Sequence, residues 1–333
     1  MTTIVIDAMG GDYAPAAPVT AAIQMARAYP DTTLILAGDE SKMKQHLGES
    51  VPSNIIVRHT ADEIAGTDEP VRAVRRKPNS SLVVGAKLVH DKDADVMISA
   101  GNTGAIVAAG LLVIGRLENV QRPALSPVLP TFSGKGIVLL DAGATMDASA
   151  ENLLEFALMA DAYVKHVLDV DSPRIGLLNV GTEDSKGNAL TKAAFPLLQQ
   201  SKLNFIGNVE ARDLLDGPCD VVVCDGFAGN VVLKLAEGVG LGIFKELRSL
   251  FMSTLKTKIL GSLLKPSMRA FRDKFDYAEY GGAPFLGVAG GCFKAHGSSN
   301  PRAWYIALVQ ARKFANEHVL EKIQQAMADE VHA

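Results

Sequence analysis

The stretch Asp95-Val96-Met97-Ile98-Ser99-Ala100-Gly101-Asn102-Thr103-Gly104 runs from a short strand-like segment into a glycine-rich turn, and an apolar helical pattern follows to Ile114. Strand, turn and helix form the unit from which parallel sheets are assembled. Such a turn also presents free backbone N–H groups to an anion, and Ser99, Asn102 and Thr103 add side-chain donors. No Gly-Lys-Ser/Thr follows, so the turn does not read as a nucleotide-hydrolysing P-loop. The charge-free run between Asp95 and Arg116 is polar at one end. Its apolar remainder, Ala105 to Ile114, is half of the roughly 20 residues that cross a membrane, so it reads as a buried helix.

The same alternation extends along the chain. Strands are predicted at Thr3–Ile6, Thr33–Leu36, Ile55–Arg58, Asp95–Ser99, Gly136–Leu140, Arg174–Asn179, Asn204–Ile206 and Asp220–Cys224. Helical spacing fills Ala17–Ala28, Thr103–Ile114, Asn152–Val167 and Leu190–Leu198, and Ala303 to Met327 reads as one long final helix. This order predicts an α/β fold with a mostly parallel sheet covered by helices on both faces. No repeat and no Pro/Gly/Ser-rich linker divides residues 1–333, so a single domain is expected.

Composition narrows the function classes. With 48% hydrophobic and 21% charged residues, the 333-residue chain is not disordered. A net charge of −4 argues against a globally basic nucleic-acid binder. Three cysteines, Cys219, Cys224 and Cys292, make no disulfide framework and fit a reducing cytoplasm. Met1 to Asp7 lacks the basic start of a signal peptide. One segment departs from the average: residues 241–276 carry +5 and the rest of the chain −9. Phe244, Leu247, Phe251 and Leu255 lie at helical spacing, Gly261 and Pro266 interrupt the pattern, and Met268, Phe271 and Phe275 resume it. The segment predicts a protruding helical hairpin whose tip holds Ile259, Leu260, Leu263 and Leu264 between Lys256, Lys258 and Lys265. Such a hairpin can pack against a second subunit or dip into an anionic membrane.

Ligands of open α/β sheets lie beyond the carboxyl ends of the strands. Besides the turn at 99–104, four loops there carry candidate groups. The first is Asp7-Ala8-Met9-Gly10-Gly11-Asp12, whose paired glycines allow backbone N–H groups to approach a ligand. It lacks the dinucleotide fingerprint. The loop 181–188 offers Lys186 as a cation for phosphate or an oxyanion. The loop 225–230 offers Asp225 and Asn230. In the last, Asn300 and Pro301 open the final helix, with Lys294, His296, Ser298 and Ser299 at its positive end. Arg72, Arg75 and Arg76 form a basic helical face, a docking option for an acidic partner. No G-x-S-x-G elbow, H-E-x-x-H pair or zinc spacing is present, so no metal or cofactor is expected. The loops together read as a polyanion cradle.

These motifs, with Lys77-Pro78-Asn79-Ser80-Ser81 and Gly281-Gly282-Ala283-Pro284, resemble in order and over nearly the whole chain the bacterial phosphate acyltransferases, the PlsX family. The family often has His where Tyr13 stands, so no role is placed there. The resemblance implies a homodimer with a three-layer α/β/α sandwich, similar to phosphotransacetylases and isocitrate/isopropylmalate dehydrogenases. It implies transfer of a fatty acyl group from acyl-carrier protein to inorganic phosphate. The acyl phosphate then serves a membrane glycerol-3-phosphate acyltransferase in phospholipid synthesis. The expected roles follow: Lys186 and Asn230 polarise the reacting groups. Asp7, Gly10, Gly11, Asp12, Gly101, Asn102, Thr103, Asp225, His296, Ser298 and Ser299 surround phosphate. Arg72, Arg75 and Arg76 dock the carrier protein, and the hairpin attaches a cytoplasmic enzyme peripherally to the membrane. The alternatives are a decarboxylating dehydrogenase on a similar fold and a non-catalytic membrane adaptor.

Overall fold

The structure, a computed structural model, describes residues 1–275 and 280–331. The first half runs β1 (Thr2–Asp7), α1 (Ala16–Ala28), β2 (Thr32–Gly38), α2 (Glu40–Leu47), β3 (Ile55–His59), α3 (Pro70–Arg76), α4 (Ser81–His90), β4 (Val96–Ser99), α5 (Thr103–Ala109), β5 (Ala124–Leu125), β6 (Val128–Leu129) and β7 (Ile137–Leu140). It continues with α6 (Ala150–Val167), β8 (Ile175–Asn179), α7 (Ala189–Gln200), β9 (Phe205–Glu210), β10 (Val221–Val223), α8 (Gly226–Met252), α9 (Leu255–Lys274), β11 (Ala283–Leu286), β12 (Gly291–Lys294), α10 (Pro301–Asn316) and α11 (Val319–Val331).

The fold is α/β with mostly parallel pairing, divided between two sheets. One has the order β3-β2-β1-β4-β12-β11-β5, parallel from β3 to β12 and antiparallel beyond. The other has the order β6-β7-β10-β8-β9, with only β6 antiparallel. Strand residues alternate between faces, and both faces are covered, so both sets are apolar. Ile4, Ile6, Leu34 and Leu36 meet α1 and α10, through Met25 and Trp304 among others. Val5 and Met97 point the other way, into Leu82, Val83 and Ile106 of α4 and α5. In the second sheet Val138, Leu140, Val221 and Val223 meet α6, while Leu139 and Val222 face Val232 and Leu233 of α8. Each sheet is thus the middle of three layers, and the core under α1, α6 and α10 is continuous from one sheet to the other.

The final helix predicted over 303–327 is two helices. Glu317 closes α10, and His318 adopts a left-handed conformation at φ 52°. The bend lets α10 cover the first sheet beside α1 while α11 packs on α6 of the second. Likewise α5 ends at Ala109 and continues as one wider turn over Gly110–Ile114, where Gly110 abuts the Phe285 ring.

The hairpin also differs from expectation. Its first arm begins at Gly226, not at 241, and its second runs unbroken through Gly261 and Pro266. Gly261 sits against Phe251, where a Cβ would come 2.9 Å from the Phe251 Cβ, so the bare backbone lets the arms pack closely. Pro266 lies on the exposed face, where water can satisfy the carbonyl freed by its missing N–H. The turn is at Ser253-Thr254, closed by reciprocal bonds: Thr257 N–H donates to Thr254 Oγ1 (3.1 Å) and Thr254 N–H to Thr257 Oγ1 (3.0 Å). The turn itself is therefore polar, flanked by exposed Met252 and Leu255. Ile259, Leu260, Leu263 and Leu264 instead line the outer side of α9, exposed by 58, 56, 74 and 46%. Asp276, the last residue of the predicted hairpin, lies outside the described residues. By length and composition α8 is apolar enough to cross a membrane, and little of it is buried within the chain.

Candidate functional site

After β1 the chain moves outward to β2 and β3, and β4 returns on the other side of β1. That reversal opens a crevice at the carboxyl ends of β1 and β4, the standard ligand position in such sheets. Asp7 ends β1 and is buried; its Oδ2 accepts the Ser99 hydroxyl at 2.6 Å, and Ser99 Oγ in turn accepts the Gly101 N–H at 3.0 Å. Burial pushes the Asp7 carboxyl above its ordinary value, against the pull of these donors. Gly10 lies between the two loops: a Cβ there would come 2.8 Å from both Asp7 Oδ2 and the Gly101 nitrogen. The Asp12 N–H donates to the Gly297 carbonyl at 2.8 Å. The loops after β1, β4 and β12 are therefore knitted into one floor.

Several predicted residues do structural work at this floor. Asn102 caps α5, its Oδ1 accepting the Ala105 N–H, while its Nδ2 donates to the Gly66 and Asp68 carbonyls. Both ends of that side chain are committed within the protein. Thr103, Asp12 and Ser298 are exposed, and Ser299 is buried. His296 Nδ1 bonds Ser298 Oγ at 2.8 Å, and its Nε2 stands 4.0 Å from Glu237 of α8. Arg72, Arg75 and Arg76 are exposed on α3, opposite buried Ala73 and Val74, and α3 packs on α5. Lys77 instead pairs with Asp68 at 2.6 Å and steadies the loop under Asn102.

A second group sits at the carboxyl ends of β7, β8 and β10. Asp225 caps α8, its Oδ1 accepting the Ala228 N–H at 2.8 Å. Asn230, in the first turn of α8, faces Gly143, whose φ of +124° favours glycine; a Cβ on Gly143 would lie 3.6 Å from Asn230 Cγ. Gly226 N–H donates to the Thr145 carbonyl at 2.8 Å, joining the two loops. Lys186 is exposed in the loop after β8, and its ammonium has no hydrogen bond or ion pair among the described residues.

Sequence reasoning passed over Asp141. It is fully buried directly after β7; Oδ1 accepts the Leu125 N–H at 2.8 Å, and Oδ2 accepts those of Ala144 at 2.9 Å and Thr145 at 2.5 Å. Its carboxylate thereby shapes the turn that carries Gly143. Burial raises its pKa to about 6. A pocket of about 470 Å³ opens beside this turn, lined by Leu111, Arg116, Arg122, Pro123, Met146 and Phe285, among others. No cysteine serves as a nucleophile here. All three are buried, and burial pushes Cys219 and Cys292 up to about 12 and Cys224 well above its ordinary value. No metal-binding group of His, Cys, Asp or Glu occurs among the described residues.

Residues 2–322 match the family described as fatty acid synthesis protein. The chain belongs to this family. Curated relatives carry the name phosphate acyltransferase, two of them at 51% identity. The one from Brevibacillus brevis is 51% identical over 324 residues, 97% of each chain. The one from Bacillus licheniformis is 51% identical over 331 residues, 98% of this chain and 99% of its own. Among solved structures, a phosphotransacetylase from Streptococcus pyogenes superposes with a TM-score of 0.63 at 16% identity, covering 95% of this chain and 94% of its own. A branched-chain phosphotransacylase from Enterococcus faecalis gives 0.56 at 14% identity, covering 95% and 99%. At those identities the likeness is one of fold. It accords with the three-layer arrangement and places this member of the family on a phosphotransacylase-type scaffold.

Proposed function

We propose that the two loop groups are the active site of an acyl-carrier protein:phosphate acyltransferase, working as a single unit with its hairpin. That the chain is an enzyme of the phosphate acyltransferase class follows from its family and from the relatives that span its full length. The observation that carries the chemistry is the pairing of available donors with buried cysteines: exposed Lys186 in the loop after β8 and half-buried Asn230 near the start of α8, while every thiol is sealed away. Phosphate is then the attacking group. One of its oxygens adds to the thioester carbonyl carbon, the carbonyl becomes an oxyanion, and the C–S bond breaks to release the carrier thiolate. The enzyme has to bring phosphate within about 3–3.5 Å of that carbon and to stabilise the oxyanion. Asn230 and Lys186 supply the donors, and the pocket beside the Asp141 turn offers the acyl donor Leu111, Met146 and Phe285 on a lining that is otherwise mostly polar, with Arg116, Arg122 and Asp147. A thiol of pKa about 8.5 leaves without a strong acid.

The finer reading concerns place and partners. The apolar stripe of Val231, Leu235, Val239 and Ile243 on α8, each about half exposed or more, suits a second copy of the chain. The exposed face of α9, flanked by Lys256, Lys258 and Lys265, suits an anionic lipid surface. A cytoplasmic homodimer held to the membrane would hand acyl phosphate to a membrane glycerol-3-phosphate acyltransferase. The deciding experiment is incubation with acyl-carrier protein thioester, with and without phosphate. Release of carrier thiol that requires phosphate supports the reading; equal release without phosphate overturns it. Reduction of NAD with hydroxy acids would favour a dehydrogenase instead.

A further inference from the structure

Lys294 is the last residue of β12, in register with Ser99 of β4, and its half-buried side chain lies within electrostatic reach of Lys234 and Glu237 of α8. Among the described residues its ammonium has no carboxylate within 4.0 Å, and its one hydrogen bond there, to the Ala295 carbonyl, is long at 3.5 Å. A second cation, Lys234 of α8, stands near it, and the carboxylate of Glu237 is shared: Lys234 Nζ lies 3.5 Å from Oε2, and His296 Nε2 lies 4.0 Å from Oε1. Glu237 is thus engaged by the solvent-exposed Lys234 and His296, and the less accessible Lys294 ammonium is left without a carboxylate of its own among the described residues. Burial and the neighbouring Lys234 charge both disfavour the charged form of Lys294. A buried cation left unpaired is costly, and an incoming anion removes that cost.

The position is as telling as the charge. Asn230, Lys234 and Glu237 recur at four and three residues, so they share one face of α8. Four residues rise about 6 Å. An anion between Lys234 and Lys294 thus sits about one helical turn from Asn230 and Gly143, and beside the floor made by Gly10, Gly101 and Gly297. We propose that Lys294, assisted by Lys234, binds the inorganic phosphate that attacks the thioester, which leaves Lys186 to the carbonyl side. This rests on the acyl-transfer reading above, and the test separates the two.

Phosphate binding is measured first by calorimetry on the full-length protein without acyl donor, then as KM for phosphate and for acyl-carrier protein thioester. Lys294→Met is expected to weaken the calorimetric Kd and raise KM for phosphate at least tenfold, with KM for the acyl donor unchanged. Lys294→Arg should recover part of the affinity. If Lys294→Met does not fold, Lys234→Gln, at an exposed position, decides: a severalfold weaker phosphate Kd is expected. An unchanged phosphate Kd in a folded variant overturns the proposal. A raised KM for the acyl donor alone also overturns it, since the anion would then be the phosphodiester of the carrier's own arm. Phosphate binding by wild type without any thiol release would instead defeat the acyl-transfer reading and leave the anion site standing.

Discussion

Asn230 stands against Gly143 across two loops from different strands, close enough that a Cβ on Gly143 would lie 3.6 Å from both Cβ and Cγ of Asn230. The Asn230 side chain thus abuts a neighbour with no side chain, which leaves room for a ligand atom between them. Removing one positioned oxyanion donor costs roughly 100- to 1,000-fold in kcat. Asn230→Ala is expected to lose activity in that range, and Lys186→Ala to lose nearly all of it. Lys186 makes no side-chain bond within the described protein, so its variant should melt with wild type. Wild-type turnover in either variant would remove that residue from the site.

The exposed side of α9 makes a separable prediction. Leu260→Glu with Leu263→Glu replaces two exposed leucines, so folding should be unaffected. In vesicles containing anionic lipid, the double variant is expected to stay in the supernatant during co-sedimentation while wild type pellets. Unchanged pelleting would leave α9 with a role in subunit packing only.

For carrier docking, the guanidinium groups of Arg72, Arg75 and Arg76 are solvent-facing, and the helix beneath them rests on Ala73 and Val74. Reversing all three to Glu should raise KM for acyl-carrier protein by about tenfold or more at low salt, with the effect shrinking as salt is added. A KM that does not move would transfer docking to another basic surface, such as the lysines of α9.

Asp141 predicts a pH effect with a definite sign. Burial raises its pKa from 3.8 to about 6, so the folded chain binds that proton more tightly than the unfolded chain. Its contribution is fully present below about 3.8 and is lost as pH rises through about 6. Two units correspond to roughly 3 kcal/mol. Urea midpoints of wild type should therefore fall relative to Asp141→Asn between about pH 4.5 and 7. A constant gap between the two proteins across that range would refute the shift.

What could be read beforehand follows from how each part is stabilised. The strands β1, β4, β8 and β10 are buried on both faces, so they are short apolar runs bounded by turn residues. The strands β11 and β12 hold Pro284, Gly291 and Lys294, and they are fixed by neighbours distant in sequence, β12 by β4 and β11 by β5, rather than by local pattern. The hairpin was legible as helix and as charge. Its turn was not, because Gly261 and Pro266 look like breaks until Phe251 is packed beside the first and solvent beside the second. Asp141 had a usable signal: Asp141-Ala142-Gly143 repeats the strand-end Asp7-Ala8 of the first loop. The neighbourhood of Lys294, Lys234 and Glu237 had none, since it is assembled from a strand end and a helix far apart in the chain.

The helix α8 runs without interruption from Asn230 to Met252. Each residue of a helix advances about 100° around the axis. An insertion or deletion of one residue beyond Glu237 would therefore rotate the whole distal arm by about 100° relative to the catalytic loops. The arm's apolar face would then point sideways while the loops stayed where they are. Changes in arm length can be tolerated only near whole turns, about seven residues at a time, so this helix keeps phase between the chemistry at one end and the surface it meets at the other.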